Sequence, residues 1–212
     1  MTSSLLGRID HLVYATNDLD RGISEIEALL GIRAAIGGRH AAWGTRNALV
    51  SLGPRCYLEI IAPDPEHSPA SAARPFGLQG LGASRLVTWV ANGSSLEKIR
   101  YDAARQGVVL GDVLSGERQR LDGGVLRWSL TDPACVVADG LVPFFIDWGQ
   151  SPHPSQVTPQ GAALVALRAE HPDADHVRDM LRVLDLALPV TTGSVPALIA
   201  EIDCLNGRVA LR

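Results

Sequence analysis

One order of elements occurs twice in this chain and constrains its fold more than any single residue does. An apolar strand is followed by a capped helix and then by several short strands. The two helix starts, near Asp18 and Ser94, are about 76 residues apart. In the first copy, strand 9–15 leads to Asp18, a helix cap. Leu19, Ile23, Ile26, Leu29 and Leu30 then mark one buried helical face. Gly31 can take the positive φ that stops a helix. Extended segments at 34–42, 47–52 and 56–61 complete a β-α-β-β-β unit.

The second copy opens with strand 86–91. Ser94 and Glu97 make a capping-box signature, and the spacing predicts a helix running to Gly107. Strands are expected near 108–110, 117–121, 125–130 and 143–148, with a turn at Asp122-Gly123-Gly124. A third copy is partial. It has a strand at 161–169 and a helix opened by Pro172 and Asp173, with Val177, Leu181 and Leu184 on one face. A hairpin turning on Asn206-Gly207 follows, and no final strand bearing an acid is evident. The expected class is α+β. Module one (9–62) and module two (84–149) lie within residues 1–155, and 156–212 form a partial third repeat packed on them. The connections 62–84, rich in Pro, Ala, Ser and Gly, and 149–160, with three prolines, read as surface loops of the kind that often carry function.

Composition narrows the function classes. Of 212 residues 46% are hydrophobic and 20% charged, as in an ordinary globular protein. The net charge of −4, with no basic stripe, argues against nucleic acid. No apolar run approaches the roughly 20 residues that span a bilayer, so no membrane association is expected. The first residues lack a basic region followed by an apolar stretch, so no signal peptide is expected. The three cysteines, Cys56, Cys135 and Cys204, are widely spaced and form no CxxC, which makes a reducing cytoplasm the default. No GxGxxG, GxxxxGK[ST] or GxSxG motif occurs, so nucleotide cradling and a serine nucleophile have no support.

Three strands carry the chemistry. Tyr57-Leu58-Glu59-Ile60-Ile61 and Phe145-Ile146-Asp147-Trp148 each set an acid among residues that belong inside. A buried carboxylate needs a partner, a metal or a proton. His11 lies in the apolar strand Ile9-Asp10-His11-Leu12-Val13-Tyr14. A strand histidine and a strand carboxylate that meet across a sheet make half of a divalent-metal site.

These strands, with Gly37-Gly38-Arg39-His40, Gly44-Thr45-Arg46-Asn47 and the repeated β-α-β-β-β unit, resemble the vicinal oxygen chelate superfamily. More narrowly, they resemble its glyoxalase-like domain branch. The resemblance covers residues 9 to about 155. It implies two modules whose sheets form a cupped half-barrel around a divalent metal (zinc, nickel, manganese or iron). It implies His11 and Glu59 as ligands from module one, and Asp147 from the fourth strand of module two. The position matching His11 in module two falls on Val87, Thr88 or Trp89, none a good ligand. His40 is our added candidate for a third ligand, completing a two-histidine, one-carboxylate set.

Glu59 and His40 are the candidate catalytic groups. Asn47, Arg74 and Trp148 are candidates for holding substrate. Each has a plainer reading. His11 could be a core histidine, and Glu59 could pair with Arg46 or Arg39. His40 could be exposed after a turn, Asn47 could merely start a strand, and Asp147 could lead into a turn. Arg74 could be solvated, and Trp148 and Trp128 could be core. His153 and His67 read as surface residues. His171 and His176, five apart, lack the spacing of a helical metal pair.

The expected activity is that of a metal-dependent isomerase, lyase or epimerase stabilising the enolate of a small oxygenated substrate. The alternative is a non-catalytic binding or resistance protein on the same scaffold. The partial third copy leaves a sheet edge that a homodimer would cover.

Overall fold

The structure, a computed structural model, describes residues 4–66, 75–119 and 124–212. Module one is β1 (Ile9–Ala15), α1 (Leu19–Leu30), β2 (Ala35–His40), β3 (Thr45–Ser51) and β4 (Tyr57–Pro63). Module two is β5 (Arg85–Asn92), α2 (Leu96–Ala104), β6 (Val113–Gln119), β7 (Val125–Thr131) and β8 (Phe144–Asp147). Both follow the order expected from the sequence.

The caps explain the helix limits. The Asp18 carboxylate accepts from the Arg21 amide, and Gly31 closes α1 at φ 72°. The capping box expected at Ser94 does not form. Ser95 sits ahead of the helix in a left-handed conformation with no side-chain cap, and α2 ends at Ala104. The strand expected near 108–110 is absent from the β-structure, which resumes at Val113. Its turn at 122–124 falls largely outside the described residues.

Eight strands form one curved sheet in the order β2-β3-β4-β1-β5-β8-β7-β6. In module one β1 pairs parallel with β4, and in module two β5 pairs parallel with β8. The modules join where β1 runs antiparallel to β5. The edge strands β2 and β6 curl round until they touch, so the sheet nearly closes on itself. Strand alternation then separates two faces. Leu12, Leu58, Ile60, Trp89 and Phe145 point outward into the main core beneath the helices. Val13, Ile61, Val90, Phe144 and Ile146 point inward and line the hollow. Helix α1 buries Leu19, Ile23, Ile26 and Leu30 against the outer face, each contributing about 1.5–3 kcal/mol.

The third repeat contains β9 (Ala163–His171), α3 (Ala174–Val183), β10 (Val190–Thr192), β11 (Ala197–Cys204) and β12 (Gly207–Leu211). Its own sheet runs β10-β9-β11-β12, with β10 parallel to β9. It therefore has the strand and helix order of a module but different wiring, and β10 was not foreseen from the sequence. Its apolar face merges with the main core through Leu167, Val177 and Leu198. Among the described residues no helix is long and apolar enough to cross a membrane.

Candidate active site

Parallel pairing of β1 with β4 sets His11 beside Tyr57 and Val13 beside Glu59. A bulge against β5 between Ile9 and His11 breaks the alternation there. Asp10 and His11 are both buried, as is every residue of β1, and their side chains bond to each other. The His11 ring stacks on Tyr57, with centroids 4.5 Å apart and planes 16° apart. Its Nδ1 lies 2.7 Å from Asp10 Oδ1, and its Nε2 faces Glu59 Oε2 at 3.7 Å. The imidazole and carboxylate expected to meet inside the cup do meet.

Asp10 is the anchor of a network that reaches across the chain. Besides His11 it accepts from Trp148 Nε1 at 3.1 Å and from His153 Nε2 at 3.2 Å. Burial pushes the Asp10 carboxyl upward, but the bonds and charges of His11 and His153 outweigh it, so the group stays below its ordinary value. An ionised Asp10 only accepts, so the shared proton belongs to His11 Nδ1 and fixes that ring's orientation. His153, read from the sequence as a surface residue, is only 3% exposed. Its Nδ1 accepts from the Ser155 amide, and the Ser155 hydroxyl donates to the Pro54 carbonyl. The 149–160 connection therefore packs into the protein here instead of running over its surface, with the buried His153 and Ser155 side chains both partnered.

Glu59 is 7% exposed. The Asn47 amide donates to its Oε1 at 2.5 Å. Asn47 is itself clamped, because its Oδ1 accepts from the Gly38 amide at 2.9 Å and from Arg118 Nη1 at 3.2 Å. That fixes which end of the amide faces the carboxylate. Arg118 crosses from β6 over the Gly37-Gly38 backbone. A Cβ at Gly38 would lie 2.5 Å from Arg118 Cδ, so this crossing depends on bare backbone. The Arg118 Nε is buried and has no hydrogen-bond partner among the described residues. Arg39, considered from the sequence as a partner for Glu59, instead pairs with Asp64 at 3.3 Å and Glu66 at 2.6 Å.

His40 packs edge-on against Trp43 and Trp128. Its Nδ1 lies 3.0 Å from the Thr45 hydroxyl, and its Nε2 is 3.5 Å from the Asn47 amide nitrogen. Burial holds its pKa below the ordinary 6.5. Glu59 opposes this, and Arg118 and His11 add to it. Burial, with Asp10 and Glu59 nearby, likewise keeps the Tyr57 hydroxyl protonated far above its ordinary range.

A cavity of about 40 Å³ lies among these groups, bounded by His11, Asn47, Glu59, Arg118 and the rings of Phe76 and Trp148. Of the residues singled out in the sequence, His11, His40, Asn47, Glu59 and Trp148 reach it. Asp147 does not. Phe144 and Ile146 take the inward face of β8, and Asp147 turns the other way to accept from the Gly149 amide at 2.9 Å. The proposed alignment of Glu59 with Asp147 is thus out of phase by one residue, and one residue flips the face. Arg74 and His67 lie outside the described residues. Asp10, Tyr57 and Arg118 belong to the site and were not singled out. The available signal was a polar pair, Asp10-His11, inside an otherwise apolar strand.

The donor set meets the needs of a divalent ion only in part. His11, held by a carboxylate on its far nitrogen and aimed at Glu59, has the support that a metal-bound histidine has. The set stops there. Among the described residues no three His, Cys, Asp or Glu side chains converge. The residue paired with His11 on β5 is Val90, and the Asn47 amide stands between His40 and Glu59. The donors therefore do not fit a three-ligand ion.

The sequence profile described as "Glyoxalase-like domain" matches residues 9–184. No curated protein matches the chain. Among solved structures, a hypothetical protein from Staphylococcus aureus superposes with a TM-score of 0.63 at 16% identity, covering 95% of this chain and 83% of that one. That likeness shows a shared fold. Methylmalonyl-CoA epimerase from Mycobacterium tuberculosis gives a TM-score of 0.46 at 20% identity, over 70% of this chain and 93% of its own.

Proposed function

This chain belongs to the glyoxalase-like domain family, and from that premise we propose that it is an enzyme moving a proton at a carbon beside a carbonyl or carboxylate, in an isomerase or epimerase type of reaction. The observation that carries this reading is the surroundings of Glu59. A buried carboxylate faces His11 Nε2 at 3.7 Å on one side, and across Asn47 lies an arginine whose Nε has no partner among the described residues.

Each group has a task the geometry suits. Glu59 is the base, since its carboxylate borders the cavity and can take a proton from a substrate carbon placed there. His11 receives or returns a proton at Nε2 while Asp10 holds its Nδ1. Arg118 Nε donates to the oxygen on which charge develops, and as a donor held in a buried site it needs little reorganisation. Asn47 keeps Glu59 oriented, and neutral His40 supports Asn47 without adding charge. A divalent ion, expected from the family resemblance, has no part in this reading.

The test uses deuterium exchange. Pyruvate, 2-oxobutyrate, acetoacetate and 2-hydroxybutyrate are incubated with the protein in D2O and followed by proton NMR. At least one should exchange at the carbon next to the carbonyl or carboxyl group, and Glu59→Gln should slow that exchange by about 10²–10⁴-fold. Exchange unaffected by Glu59→Gln would refute Glu59 as the base. Elemental analysis of the same samples checks the metal. A stoichiometric ion lost in both His11→Ala and Glu59→Ala would restore the metal-dependent reading. Binding of these acids without any exchange would favour a sequestering protein.

A further inference from the structure

The inner cavity, at about 40 Å³, accommodates only the reacting end of a substrate. Pockets that bury a whole small molecule measure about 300–1,000 Å³. A second space of about 670 Å³ adjoins it. This groove runs along β5, beneath the segment that follows β7, to the start of β11 and the C-terminal Arg212. Phe76, Pro133 and Phe144 line both spaces. The Phe76 and Phe144 rings, with centroids 6.1 Å apart, stand at the junction.

The groove walls are apolar, with Leu86, Val137, Leu141, Val142 and Leu198 among them. Most of its polar groups are already engaged. The Thr88 hydroxyl donates to the Gly140 carbonyl at 2.9 Å. Asp139 pairs with His171 at 3.1 Å, and Arg212 with Glu170 at 2.7 Å. Arg85 differs. It is exposed, lines the groove, and its guanidinium has no hydrogen-bond or ion-pair partner among the described residues. Val90 pairs with Phe144 at the inner end of the groove, and Arg85 lies five residues back along β5, roughly 16 Å away at the rise of a strand.

We propose that this groove binds an amphipathic monoanion. Its apolar chain lies between Phe144 and the start of β5, and its anionic group rests on Arg85. An apolar wall offers nothing to a small polar acid. A single free guanidinium at the far end favours a carboxylate over an uncharged head by a charge-assisted hydrogen bond. The inference rests on the proposed proton transfer at one point only, that the inner end of the chain opens towards Glu59. It thereby assigns the substrate class as an elongated acid with its carboxylate on Arg85 and a carbonyl at its inner end, beside the carbon whose proton Glu59 takes.

The test is calorimetric titration of the full chain with sub-micellar decanoate, decanol and acetate. Decanoate should bind, acetate should not, and decanol should bind about tenfold more weakly than decanoate. Arg85→Glu, at an exposed position, should abolish the preference for decanoate over decanol. Ala197→Trp, which narrows the groove, should weaken both. Equal binding of decanoate and decanol by the native protein, or decanoate binding unchanged in Arg85→Glu, would overturn the proposal. Deuterium exchange without decanoate binding overturns the groove alone. Decanoate binding that follows this pattern, without exchange of any acid, supports the groove and overturns the proton transfer.

Discussion

Asn47 holds Glu59 through a 2.5 Å hydrogen bond from its amide, and Asn47 is itself held at its oxygen by Gly38 and Arg118. The amide cannot turn over without facing two donors with its own NH2. This one side chain therefore couples the base on β4 to the cation that arrives from the opposite module. Asn47→Leu keeps the approximate volume and removes the coupling. It leaves a buried carboxylate short of a donor, at a cost of about 1–3 kcal/mol. Urea unfolding should show that loss. The exchange rate should fall by about 10²-fold, because Arg118 is no longer fixed. A variant that loses stability but keeps its rate would mean that Asn47 serves the fold only.

The Gly38 position offers a way to disturb Arg118 without touching it. A methyl there would lie 2.5 Å from Arg118 Cδ. The atom struck belongs to a flexible stem, so the fold has room to adjust and the stability change should stay within about 1 kcal/mol. The guanidinium, however, must leave the cavity. Gly38→Ala should weaken binding of an exchanging acid about tenfold, and Gly38→Ala combined with Arg118→Ala should be no worse than Arg118→Ala alone. Full additivity of the two changes would show that Gly38 acts through something other than Arg118.

Asp10 makes the sharpest claim about acid stability. Its folded pKa lies below the ordinary 3.8, so its contribution to stability is complete above about pH 3.8 and is lost as pH falls through the lower folded value. Asp10→Asn leaves the His11, His153 and Trp148 donors facing an amide, and at neutral pH it should cost about 3 kcal/mol. The gap between native and variant unfolding midpoints should close as pH drops below about 3.8. A gap that stays constant from neutral pH to pH 2 would show that the Asp10 charge is not what stabilises the network.

The sequence was most informative where a signal was local. Asp18 and Gly31 mark both ends of α1, Asn206-Gly207 marks the last hairpin, and the strand alternation of β4 puts Glu59 on a buried face. The meeting of His11 with Glu59 was implied by the family resemblance, and the parallel pairing of β1 with β4 brings it about. What could not be read depended on phase and on distance. Asp147 and Glu59 look equivalent as letters, but Ile146 holds the inward position on β8. Arg118 reaches the site from 71 residues beyond Asn47, through space opened by Gly37 and Gly38. His153 carries no helical or strand pattern at all, and only the carboxylate of Asp10, 143 residues earlier, makes its burial affordable.

His40 supplies a test of the neutral site near physiological pH. Its ring is held below the ordinary 6.5 chiefly by burial, so the folded state resists the proton that the unfolded chain accepts at about that pH. Below pH 6.5 the unfolded chain therefore binds more protons, and stability must fall as pH falls towards the lower folded value. Above 6.5 the contribution is complete. His40→Gln retains an amide able to face Thr45 and cannot titrate. Urea unfolding of both proteins between pH 8 and pH 5 should show a steeper acid-side decline in the native chain. If the two curves run parallel through that range, His40 is not the buried neutral imidazole that supports Asn47, and its place in the site must be argued again.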